Sequence, residues 1–282
     1  MPPLTILICT SIAITSFMPE LPEVEMARRY LSATSLHQPI ISAEVMDSRI
    51  LFGISADMVV QSLIGQQFNS ALRHGKRLFL ELLPDLWLTL HLGLTGKLVY
   101  LNDRDEVPRH TRLLITFENE RRLAFDDLRI FGEVGLTISP QRFLLERKIG
   151  PDVLEIDLAG FLKIMMLRRG IIKAALLNQH LVAGLGNLYA DESLFQAGIC
   201  PRSRALDEEH LKLLFCSIKK ILSRVLSVRA DLDMLPDSYL LPHRHPGGVC
   251  PWDKTVLRHE NVVGRTSYYC PRHQKIVGSG GS

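Results

Sequence analysis

Arg77-Leu-Phe-Leu-Glu-Leu-Leu-Pro-Asp-Leu-Trp-Leu-Thr-Leu-His91 decides the fold of the first half of the chain. It reads as two strands, Arg77–Leu82 and Trp87–His91, around a Pro84-Asp85 turn. A second pair follows at Arg112–Phe117 and Arg121–Phe125, joined by Glu118–Glu120. Upstream, Glu20 to Leu36 reads as a helix. Pro22 suits its first turn, Glu23 and Glu25 its N-terminal end, and Arg28 and Arg29 come later. A first domain built mainly of strands, with one helix at its start, follows. After about residue 138 the period changes. Leu158–Leu167, Ile171–Leu177, Leu188–Ala197 and Glu208–Val228 carry apolar residues at helical spacing. The class is therefore α+β and multidomain.

The 282 residues are 46% hydrophobic and 22% charged, which excludes a disordered or collagen-like chain and allows about two cores. Lys and Arg number 33 against 30 Asp and Glu, a net charge of +3. That small excess neither requires nor excludes nucleic acid. It concentrates in 241–277, which holds two Cys, four His, six Lys or Arg and only two acids. Five cysteines are too few and scattered for a disulfide framework.

The tail carries two four-residue knuckles, Cys250-Pro-Trp-Asp253 and Cys270-Pro-Arg-His273. Such knuckles place side chains around one ion, and strands at Thr255–Arg258 and Thr266–Tyr269 would form a ribbon between them. Cys250, Asp253, Cys270 and His273 are the expected zinc ligands, with Asp253 the harder and weaker donor. The alternative is a ribbon without metal, held by Trp252, Tyr268 and Tyr269.

The first seventeen residues differ from the rest. Leu4 to Phe17 has no charge, yet 14 residues are short for a bilayer span, and the segment lacks a basic start for a signal peptide. Met18 reads as a second start, which makes 1–18 an extension absent from the active protein. A membrane-anchored or secreted protein is the other reading of this segment.

Pro19-Glu-Leu-Pro-Glu-Val-Glu25, Arg73-His-Gly-Lys76-Arg-Leu-Phe-Leu-Glu81, His91-Leu-Gly-Leu-Thr-Gly96, Asp127-Leu-Arg129-Ile-Phe131-Gly132, Leu181-Val-Ala-Gly-Leu-Gly-Asn187-Leu-Tyr-Ala-Asp-Glu192 and Gly264-Arg265 stand in that order. Together they resemble the formamidopyrimidine-DNA glycosylase and endonuclease VIII family, from Pro19 to about Lys275. The resemblance implies a catalytic β-sandwich with a leading helix over 19–135. It implies a helical helix–two-turn–helix domain over 136–240 and a zinc-ribbon-like hairpin over 241–277. It also implies a cytoplasmic, nucleoid-associated monomer that acts on damaged double-stranded DNA without a membrane.

The same resemblance assigns roles. Pro19, freed of Met18, becomes a secondary amine able to attack C1′ and form an iminium; within a chain it is an amide and cannot. Glu20 would protonate the sugar ring oxygen and shuttle protons. Lys76 would contact phosphate beside the lesion and assist excision. Leu94, Arg129 and Phe131 would fill the gap left by the extruded nucleotide. Asn187, with backbone amides of its glycine-rich turn, and Arg265 would grip phosphates. Core packing is the plain alternative for Leu94 and Phe131.

Four departures from the family pattern stand out: the extension, two replaced metal ligands, Ile130 where arginine is common, and the stretch 229–243. That stretch is unlike the longer loop with which relatives enclose 8-oxoguanine, so oxidised purines, ring-opened purines and oxidised pyrimidines all stay open as lesions. A binding protein that recognises lesions without cutting is the rival if the extension is retained.

Overall fold

The computed structural model describes residues 18–278, so the expectations for 1–17 lie outside the described residues. The chain divides into two compact units. The first includes Pro19 and the run from Glu23 to Phe143, and holds all of α1 (Leu21–Thr34) but its first two positions, which are assigned to the second unit. Two four-stranded antiparallel sheets follow. One pairs β1 (Ile40–Val45), β6 (Thr111–Phe117), β7 (Arg122–Asp126) and β5 (Lys97–Leu101) in that order. The other pairs β2 (Ser70–His74), β3 (Arg77–Leu83), β4 (Leu86–His91) and β8 (Glu133–Thr137). In β6 buried and half-buried positions alternate strictly, as expected of a strand with one face in a core. Leu80, Leu88 and Leu90 from one sheet and Leu113, Ile115 and Phe125 from the other share that core, which makes the unit a β-sandwich.

The first unit holds one helix that its sequence reads as strand territory, α2 (Ala56–Leu63). Its signals are local: Ser55 caps it by accepting the Met58 N–H at 3.2 Å, and Val59 and Leu63 bury one face. After β8, α3 (Pro140–Glu146) sets Phe143 edge-on against Phe79, 5.5 Å between ring centres.

The second unit holds α4 (Leu158–Met165), α5 (Ile172–Leu177), α6 (Asn187–Gln196) and α7 (Glu208–Ser227). Asp157 and Asp207 cap α4 and α7. Leu211, Leu214, Ile218, Leu222 and Val225 give α7 its buried stripe. The ribbon, β9 (Arg258–Val262) with β10 (Arg265–Tyr269), belongs to this same unit.

The first ribbon strand begins at Arg258, not at Thr255. Thr255 turns its carbonyl to the Cys250 N–H at 2.7 Å, so the apparent strand start is part of the knuckle. Arg265 pairs with Val262 across Val263-Gly264, both at positive φ (55° and 74°), the backbone of a two-residue hairpin turn. No helix among the described residues is long and apolar enough to cross a membrane.

Candidate functional site

Glu20 is 1% exposed. Its carboxylate accepts the N–H groups of Gly186 (2.7 Å), Leu188 (2.8 Å) and Tyr189 (3.3 Å), and so occupies the N-terminus of α6. The turn before α6 therefore spends these amides on the chain's own acid, not on a phosphate as the glycine-rich pattern suggests. The partners lie 166 to 169 residues apart, beyond any local signal. Leu21 N–H donates to the Gly184 carbonyl at 3.2 Å. Gly184 sits at φ 119°, and a Cβ there would fall 2.4 Å from Leu21 Cδ1, so only glycine fits. Glu20 is thus fixed one peptide bond from Pro19, which is buried.

In the first unit, Lys76 stands in the two-residue turn between β2 and β3, after Gly75 at φ 56°. Arg73 steadies this turn, donating to the Gly75 carbonyl (3.0 Å) and to Glu25 (3.3 Å). Burial raises the Glu25 carboxyl, but hydrogen bonds from Arg28 and Arg29 and the charges of Arg28 and Arg73 outweigh it and hold it at about 2. His91, at the end of β4, is pushed to about 4 by burial and then by the charges of Arg77 and Lys76. Its Nδ1 accepts the Gly93 N–H at 3.1 Å, which a neutral ring allows. His91 thereby anchors the loop that carries Leu94.

Asp127 joins that loop to the next one. Its buried carboxylate accepts from Thr95 Oγ1 (2.5 Å), Arg129 N–H (3.3 Å) and Gly132 N–H (2.7 Å). A Cβ on Gly93 would lie 2.4 Å from the Phe131 carbonyl carbon, so the two backbones touch. Ile130 adopts φ 56°, strained for a β-branched residue, and packs on the sandwich core. Arg129 and Phe131 on either side of it are exposed, Phe131 by 54%, with the guanidinium 5.0 Å above the ring. Phe131 is therefore not a core residue, and Leu94, next in the chain after Gly93, is half-buried. The loop that carries Leu94 and the loop that carries Arg129 and Phe131 thus meet at Gly93 and through Asp127, and half-buried Ile130 is the peg of the second loop.

In the second unit, Asn187 Nδ2 donates to the Thr266 carbonyl at 3.0 Å, which places it beside Arg265 in the chain. Its Oδ1 is buried without a hydrogen-bond partner. Arg265 is exposed at the head of β10. The stretch 229–243 folds as two short 3-10 turns, with Leu235, Tyr239 and Leu240 buried.

At the knuckles, ligand atoms of Cys250, Asp253 and Cys270 lie within 4.8 Å of one another. Cys270 Sγ donates to Asp253, 3.5 Å from each carboxylate oxygen. Burial pushes the Cys250 thiol up to about 11, while the Thr255 N–H and other donors hold Asp253 at about 2. His273 stays outside this group: its Nε2 meets the Phe195 carbonyl at 2.7 Å, and its ring packs on Trp252 (4.2 Å) and Phe195 (4.9 Å). Two thiols and a carboxylate suit a zinc-type ion, but three donors do not close a tetrahedral structural site.

Residues 18–134 match the model of the formamidopyrimidine-DNA glycosylase N-terminal domain, and 149–233 that of the formamidopyrimidine-DNA glycosylase H2TH domain. The formamidopyrimidine-DNA glycosylase of Carboxydothermus hydrogenoformans is 33% identical, the match covering 92% of this chain and all of the relative. That of Arabidopsis thaliana is 30% identical over 93% of this chain and 72% of the relative. A crystal structure of the Lactococcus lactis enzyme bound non-covalently to DNA with an abasic site aligns with TM-score 0.81 at 30% identity, over 91% of this chain and all of that one. A MutM complex with DNA carrying carbocyclic 8-oxo-G aligns with TM-score 0.81 at 31% identity over the same shares. The chain belongs to the formamidopyrimidine-DNA glycosylase family.

Proposed function

We propose that this base-excision repair glycosylase and abasic-site lyase acts through the amine of Pro19, on oxidised or ring-opened bases in duplex DNA, purines favoured. The observation that carries the reading is the burial of Glu20 against three amides of the α6 turn. It gives the residue after Pro19 a fixed carboxylate. The relatives and the DNA complexes of the aligned structures support the substrate class.

Pro19 nitrogen attacks C1′, and the glycosidic electrons leave with the base, which takes up a proton. The nitrogen loses its proton and its lone pair opens the sugar, with Glu20 passing a proton to the ring oxygen. The resulting iminium acidifies C2′; loss of that proton expels the 3′ phosphate, and a second elimination expels the 5′ phosphate. Water then releases the amine. Lys76 steadies a phosphate beside the lesion, while Asn187 and Arg265 hold the backbone. Phe131 and Leu94 occupy the vacated stack and Arg129 faces the orphaned base.

The reading requires a polypeptide that starts at Met18 and loses it, in keeping with a family-domain match that begins at residue 18. Cys250, Asp253 and Cys270 would hold a zinc ion, which would tie the knuckles together and take no part in the reaction. His273 could join them only by leaving the Phe195 carbonyl. The enzyme works as a monomer on nucleoid DNA.

A panel of duplexes bearing 8-oxoguanine, ring-opened guanine or an oxidised pyrimidine tests the reading. Protein beginning at Pro19 should cut at the lesion and leave phosphates on both ends. Tight binding without cutting would establish the rival, a lesion-binding protein.

A further inference from the structure

The carboxylate of Asp191, on α6, is fully buried and takes four donors. These are Lys173 Nζ from α5, Arg244 Nε (3.2 Å) and Nη2 (3.1 Å), and the Tyr268 N–H of β10 (3.1 Å). Lys173, fully buried, also donates to Ser267 Oγ, and Arg244 Nη2 to the Thr266 carbonyl at 2.8 Å. That carbonyl is the one Asn187 uses. Three charges with so little access to water are tolerable only in the arrangement that satisfies them all. The cluster therefore ties residues 266, 267 and 268 of β10 to α5 and α6.

The knuckle trio lies at the other end of the strand. From Arg265 to Cys270 the chain rises by about 17 Å. The knuckles have anchors of their own: Phe195, Leu240, Cys250, Leu257 and Cys270 form a buried cluster, and Trp252 Nε1 donates to the Ser238 carbonyl at 2.9 Å.

We propose that Lys173, Asp191 and Arg244 are positioning residues that set β10 on α6, so that the ribbon keeps Arg265 and Asn187 in place with or without a metal ion. The first half concerns the ribbon alone; the consequence for DNA rests on the reading of Asn187 and Arg265 as phosphate contacts.

Amide hydrogen exchange of Ser267–Tyr269 in the full chain tests the first half without DNA. Protection should survive dialysis against a chelator, and should survive the double substitution Cys250→Ser, Cys270→Ser. It should fall at least tenfold in Asp191→Asn and in the milder Arg244→Lys, which keeps the charge but loses the fork. Loss of protection on metal removal, or full protection in both cluster variants, overturns the proposal.

Binding to a duplex with a non-cleavable abasic analogue tests the consequence. Arg244→Lys should weaken binding several-fold in the parent and add little once Asn187→Ala and Arg265→Ala are present. A full additive loss means the cluster does not act through them. If those two alanines cost nothing while exchange behaves as stated, the phosphate-contact reading fails and the bracing of the ribbon stands.

Discussion

Glu20→Gln keeps the shape of the side chain but turns an amide N–H₂ toward backbone N–H donors. It also removes the group that exchanges protons with the sugar. Steady-state excision should fall by roughly 10²-fold or more, and the thermal midpoint should drop with it; unchanged excision would remove Glu20 from the chemistry. His91 offers a separate check. Its ordinary value lies near 6.5, and its folded value is about 4. Between these the unfolded chain binds more protons, so the neutral ring contributes stability fully above about 6.5 and loses it as pH falls toward 4. The His91 ring signal in NMR should titrate near pH 4. The stability gap between wild type and His91→Gln should shrink across that window. A midpoint near 6.5 would contradict the neutral imidazole that accepts from Gly93.

Among the elements, the strand pairs around Pro84-Asp85 and Glu118–Glu120 were legible because turn chemistry and β-rich runs lie next to each other in sequence. The helices α4 to α7 were legible from apolar spacing. What stayed hidden depends on distant partners. Nothing near Glu20 announces α6, and nothing near Lys173 announces Asp191 or Ser267. The sequence starts the ribbon strand three residues early because Thr255 and Val256 look like strand residues, while Thr255 serves the knuckle. His273 fits a ligand spacing, and only the fold shows its ring bonded to Phe195. Gly184→Ala meets both a left-handed backbone and Leu21, and should cost about 2 kcal/mol or more in chemical denaturation. Phe131→Ala, in contrast, removes an exposed ring. Stability should change by less than about 0.5 kcal/mol, while base extrusion followed by a fluorescent base analogue slows about tenfold or more; a large loss of stability with normal extrusion would return Phe131 to a packing role.

For the whole molecule, a net charge of +3 is too small to bind DNA by bulk attraction, so affinity has to come from placed cations. Removing Arg265 should weaken binding to all duplexes alike and lower the salt slope by about 1; an unchanged slope would take Arg265 off the backbone. The chemistry of the whole molecule turns on the nitrogen of Pro19. Its most direct measurement is borohydride trapping on an abasic duplex with protein that begins at Pro19, followed by peptide mass mapping of the adduct. The deoxyribose remnant should sit on Pro19, and protein that retains residues 1–18 should trap none. A remnant on Lys76 or any other lysine, or equal trapping by the extended protein, would contradict the mechanism.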